Sequence, residues 1–248
     1  MDPTLRLMED HGDPRMTQPE NSERWVYLLG GVAAIVGSLM GMVGNLIHPA
    51  TPLGDPEGVV RVIAESNAWT LIHLVIVFGI VLMLGGLVAL YRTIGGGVAR
   101  ALARFGLVVA IAGVAIGVVL VILDGVAAKQ LADQWAIAPQ EERTIALRIA
   151  LANETINFAL ASSFNIVFAG ATFILFGLAV AFSGAYRESL GWIVVVAGIV
   201  SVGAGLIQAF SGQPTMASRV LTIIGPTVIT LWLLVIGVLL VRKARQTT

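Results

Sequence analysis

Apolar residues along this chain gather into six runs, at Val26–Ile47, Trp69–Tyr91, Leu102–Asp124, Phe158–Phe182, Leu190–Phe210 and Val220–Val241. A helix needs about 20 such residues to cross a bilayer. The pattern therefore predicts an all-α fold, a polytopic transmembrane helical bundle of six spanning helices over residues 25–241. Residues 1–24 carry Pro3, Pro14, Pro19 and six acids against three bases. They bury too little apolar surface to fold and read as a disordered cytoplasmic tail, with His11 solvated. The first apolar run begins late and is too long for the h-region of a signal peptide. Residues 242–248 read as a short basic tail.

The connections 48–68 and 125–151 are long enough to hold structure of their own. Asp55-Pro56-Glu57 joins an N-cap acid to a proline at the first helical position, and predicts a short interfacial helix over 56–66. Pro139-Gln140-Glu141-Glu142 reads as a second start, for a helix that runs on toward the fourth span. Trp25, Trp69, Tyr91, Tyr186 and Trp192 fall near span ends, where amphipathic rings favour the headgroup level. Pro226 removes one ladder hydrogen bond from the last span.

Composition narrows the class. The chain is 57% hydrophobic and 12% charged, about half the charged share of a soluble protein. Lys+Arg and Asp+Glu balance at 15 each, so no excess charge points to a nucleic-acid partner. Cysteine is absent, which excludes disulfides, thiolate metal sites and a Cys nucleophile. Only Arg61, Lys129, Arg143, Arg148 and Arg219 of the basic residues fall on the side opposite the termini. The positive-inside rule then puts both termini in the cytoplasm.

Polar residues inside the spans are grouped. In the stretch 152–182, Glu154, Asn157, Asn165 and Thr172 share one face with Ala161 and Phe168 at about 100° per residue. Such a stripe must face protein or a cavity, because unpaired polar groups in lipid cost several kcal/mol. Ala34, Ser38, Gly41, Asn45 and His48 form a similar face on the first span. Gly198, Ser201, Gly205 and Gln208 do so on the fifth. Gly37/Gly41 and Gly113/Gly117 are GxxxG pairs, which let helix backbones approach closely. Ordinary helix packing explains these faces without a function.

Depth is more informative. Alternating helix direction brings His48, His73, Asp124, Glu154, Asn157 and Gln208 toward one end of the bundle. Two imidazoles and two carboxylates suit a divalent metal, with His73 and Glu154 the first ligand candidates. Two histidines on adjacent helices also admit bis-His ligation of a haem or another pigment. Helix-end polarity is the plainer account: His48 precedes Pro49, and Asp124-Gly125 closes an apolar run. Metalloprotease, nucleophile-elbow and P-loop motifs are absent, and no repeat relates the two halves.

The segments VVRVIAESNAWTLIHLVIVFG leading to ALYR, ALARFGLVVAIAGVAIGV, and FGLAVAFSGAYRESLGWIVVVAGIVSVGAGLI together cover about residues 56–241 in outline. In these the chain resembles an uncharacterised group of bacterial six-helix membrane proteins, a domain of unknown function. The resemblance implies a six-helix fold in a bacterial inner membrane and carries no activity, cofactor or catalytic residue. The expectation for function is a membrane accessory protein or subunit acting through helix packing. Its partners would be the lipid bilayer and a membrane protein or a second copy. The alternatives are a metal, haem or small-ligand site at His48, His73, Asp124 and Glu154, and small-solute transport.

Overall fold

In the computed structural model the helices outrun the apolar runs at their centres. Residues 18–246 are described. Residues 1–17 of the predicted tail 1–24, with His11, and residues 247–248 lie outside them. The order is α1 (Gln18–Ile47), α2 (Pro56–Glu65), α3 (Trp69–Thr93), α4 (Gly97–Ile122), a π-helical turn at Leu123–Ala127 and α5 (Ala128–Ile137). Then follow α6 (Arg143–Phe164), a second π-helical segment at Asn165–Thr172, α7 (Phe173–Phe182), α8 (Glu188–Ser211) and α9 (Met216–Gln246). No strand occurs among the described residues. Six continuous helices, Ser22–Ile47, Trp69–Thr93, Gly97–Ile137, Arg143–Phe182, Glu188–Ser211 and Met216–Gln246, are long and apolar enough to cross a membrane.

Three boundaries differ from the sequence reading. Helix α1 takes in residues 18–24, and α9 continues through the basic segment to Gln246. Asp124 does not end a helix: the chain passes through it in a π turn and stays helical to Ile137. The interfacial helix at 56–66 is present as α2, capped as the sequence required, with the Gly58 amide donating to Asp55 Oδ1 at 2.9 Å.

Helix α1 packs on α3 and α9, α8 packs on α7 and α9, and α4 joins α3 to α7. Close approach comes from small residues. A Cβ on Gly37 would sit 2.6 Å from the Gly79 carbonyl, and one on Gly113 would sit 2.7 Å from Phe168 Cβ. Gly198 and Gly205 press likewise on the backbone of the fourth span, and Gly117 presses on the Phe164 ring. Gly41 is different, since only the flexible end of Met83 comes near it. The core is filled by Leu87, Leu90, Phe173, Phe176, Leu233 and Ile236, all fully buried. Leu71, Phe78, Ile111, Ile199 and Phe210 point outward, as lipid-facing side chains should.

A second, smaller core lies outside the spanning bundle. Val60 and Ile63 of α2, Trp69, Ala132 and Trp135 of α5, and Ala150 of α6 pack together. The Lys129 ammonium donates to the Ala64 carbonyl at 3.1 Å, fastening α5 to α2. This layer sits at the end where α1 finishes. At the other end the Lys243 ammonium lies 5.4 Å from the Tyr27 ring centroid, so α1 begins beside the end of α9.

Candidate functional site

The polar stripe of the fourth span faces inward. Asn157, Asn165, Phe168 and Thr172 are all buried, and the π-helical segment contributes to this. A π turn widens the helix and interrupts the i→i−4 ladder. Phe168, Ala169 and Gly170 are buried in succession, followed by Thr172 and Phe173, a broader inner face than an α-helix offers. The Thr172 hydroxyl donates to the Val167 carbonyl, five residues back, at 3.1 Å. Asn165 Nδ2 donates to Gln208 Oε1 of α8 at 2.8 Å. Thr222 of α9 lies 3.4 Å from Gln208 Nε2 and 3.5 Å from Asn165 Nδ2.

The other π turn carries Asp124. Two side chains of α3 satisfy carbonyls there: Trp69 Nε1 donates to the Asp124 carbonyl at 2.7 Å, and the Thr70 hydroxyl donates to that of Gly125 at 2.9 Å. Gly125 has no Cβ, and His73 fills that space. The turn thereby aims the Asp124 carboxylate at His73, with Oδ2 3.1 Å from Nε2. His48, one residue past α1, closes the group with its Nε2 3.4 Å from the same His73 nitrogen. The Trp69 ring packs 4.8 Å from both imidazoles, centroid to centroid.

Protonation follows from the partners. His73 Nδ1 lies 2.7 Å from the Trp69 carbonyl, and His48 Nδ1 lies 2.9 Å from the Pro49 carbonyl. A carbonyl only accepts, so in each ring Nδ1 carries the hydrogen and donates it. Each ring then turns its Nε2 toward the other, and that of His73 also meets the Asp124 carboxylate. Burial, reinforced by the neighbouring His73, pushes the His48 imidazole below its ordinary value, which favours the neutral form. Two imidazole nitrogens and a carboxylate oxygen thus face one another. Their ligand atoms all lie within 4.8 Å of one another.

Of the residues singled out by depth, His48, His73 and Asp124 meet directly. Glu154 is not among these ligand atoms. It accepts from Asn157 Nδ2 at 3.3 Å and stands in electrostatic range of both Asp124 and His73. Asn157 Oδ1 is buried without a partner. Gln208 joins the group through a shared cavity of about 320 Å³, which His48, His73 and Asp124 line together with Asn45, Asn165, Gln208 and Thr222. Its remaining wall is largely apolar, with Ile76, Ile80, Met83 and Phe168.

Sequence reasoning missed Trp69 and Thr70 in this role. Trp69 reads as a headgroup anchor, yet it is 2% exposed. Its position four residues before His73 is the one available signal, since i and i+4 share a helix face. No protein-family model matches the chain, and comparison with curated proteins and with solved structures gave no match.

Proposed function

We propose that this chain is a multi-pass membrane protein holding a divalent transition-metal ion, of the zinc class, between His48, His73 and Asp124. One observation carries the reading: two imidazole Nε2 atoms and a carboxylate converge, and both rings donate their other N–H to a backbone carbonyl. That outward donation is the usual support of a metal-bound histidine. A tetrahedral ion with bonds of about 2.0–2.2 Å sets its ligand atoms roughly 3.3–3.6 Å apart. Two of the three separations, 3.4 and 3.1 Å, come close to that, and all three lie within 4.8 Å.

Three protein ligands leave a fourth position open, the arrangement of metal sites that bind or transform a ligand. A tetrapyrrole would need its plane to pass between imidazoles that stand 3.4 Å apart and share a packed tryptophan. A bare ion needs no such slot. Transport gains less support, because below the cavity the core is closed by Leu87, Leu90 and Phe176. With both termini cytoplasmic, as the charge distribution favours, the site lies toward the outer face of a bacterial inner membrane.

The test is metal analysis of the purified protein by inductively coupled plasma mass spectrometry after zinc loading and desalting. About one zinc per chain is expected in the wild type, and a loss of more than 80% in His73→Ala and in Asp124→Ala. A wild type that retains no metal, with folding intact by circular dichroism, would overturn the proposal.

A further inference from the structure

The cavity beside the triad runs into the bundle along α3, from His73 past Ile76 and Ile80 to Met83. Ten residues of helix rise about 15 Å. A volume of about 320 Å³ over that depth has room for an extended hydrocarbon chain. The deep wall is largely aliphatic and aromatic. Of the polar groups on the lining, Asn45 and Thr230 donate to carbonyls of their own helices. The rest are the proposed metal site and a neutral group of Asn165, Gln208 and Thr222, whose amides and hydroxyl already bond to one another.

From this we infer that the cavity binds a single-chain acyl lipid with a neutral carbonyl headgroup, an acyl amide or monoacyl ester, its carbonyl oxygen directed to the open position of the metal. The inference rests on the metal reading above. Polarity selects the headgroup. The polar wall away from the triad carries no charge; an amide or ester matches it, since a carbonyl accepts from amide N–H groups and needs no counter-ion. The chain matches the deep wall, because an alkyl tail there exchanges lipid for protein contacts and leaves no polar group unpaired.

Binding of N-dodecanoylethanolamine and of dodecanoic acid to the full-length, zinc-loaded protein, followed by native mass spectrometry from a mild detergent, tests this. Two substitutions narrow the cavity from different helices without touching a proposed metal ligand: Gly41→Leu on α1 and Ala161→Phe on α6. The expected result is one amide per chain, at least tenfold tighter than the acid. Both variants should bind it at least tenfold more weakly with zinc content unchanged. Acid binding as tight as amide binding would overturn the neutral headgroup. A zinc-loaded wild type that takes up neither lipid, or variants that bind like the wild type, would overturn the pocket. A metal-free wild type that still binds the amide, and loses it in both variants, would uphold the lipid pocket and refute the metal reading instead.

Discussion

Gly125 stands directly against His73: a Cβ at residue 125 would overlap the His73 Cβ and crowd its ring. The π turn and the imidazole are thus fitted to each other at the backbone, which makes residue 125 a sensitive position for the site. Gly125→Ala would force His73 away from Asp124, with an overpacking cost of about 1–3 kcal/mol. Zinc affinity, measured by competition with a chromophoric chelator, should fall by at least ~10-fold. The same substitution at Gly203, where a Cβ would meet nothing, should leave it unchanged.

Trp69 supports the site without offering a ligand atom. Trp69→Phe keeps most of the ring packing but removes the Nε1 donor from the Asp124 carbonyl. The π turn then loses a support for its carboxylate, and zinc affinity should drop by about 10–100-fold, the range for groups that orient ligands. Retained circular dichroism with unchanged zinc binding would show that the bond does not position Asp124.

The Asn165–Gln208 pair is buried between the fourth and fifth spans. Replacing one partner strands the other, and a hydrogen bond between membrane helices is worth about 0.6–2 kcal/mol. Asn165→Leu and Gln208→Leu should each destabilise, and the double variant should be less destabilised than their sum. Thermal unfolding in detergent, arranged as a double-mutant cycle, reads the coupling; strict additivity would mean the bond contributes nothing.

The opposite end of the bundle offers a pH test. The Tyr186 phenol pairs with the Thr93 hydroxyl at 2.8 Å, and burial raises its pKa above the ordinary value. With the folded value above the unfolded one, the stabilisation is fully present below about pH 10 and is lost as pH rises through the folded value. Tyr186→Phe should lower the melting temperature at pH 8, by the equivalent of about 1 kcal/mol. The gap to wild type should narrow by pH 11; a constant gap would separate the hydrogen bond from the titration.

The sequence displayed the six spans because lipid imposes one length and one polarity on every crossing. It displayed the inward stripe for a related reason, since polar side chains in such a run have few places to go. Depth also brought His48, His73 and Asp124 to one end. It could not say that they touch, because that contact depends on a backbone irregularity. Asp124-Gly125 has the look of a helix stop, and nothing local distinguishes a stop from a π turn sustained by Trp69 and Thr70, some 55 positions away. Helix α5 was hidden for the same reason: continuation through residues 123–127 is decided by tertiary contacts. Glu154 was legible as an inward carboxylate, but its separation from the ligand atoms is set by the packing of α6.

The wide turn at Leu123–Ala127 also absorbs one residue with little change in the phase of α5. Deleting one residue there would close the chain into a regular helix and leave Ala132 and Trp135 facing Trp69. The opened carbonyls of Asp124 and Gly125, which Trp69 and Thr70 reach, would close into the helix ladder. A one-codon deletion there should therefore empty the ion-binding rim while the outer roof stays seated.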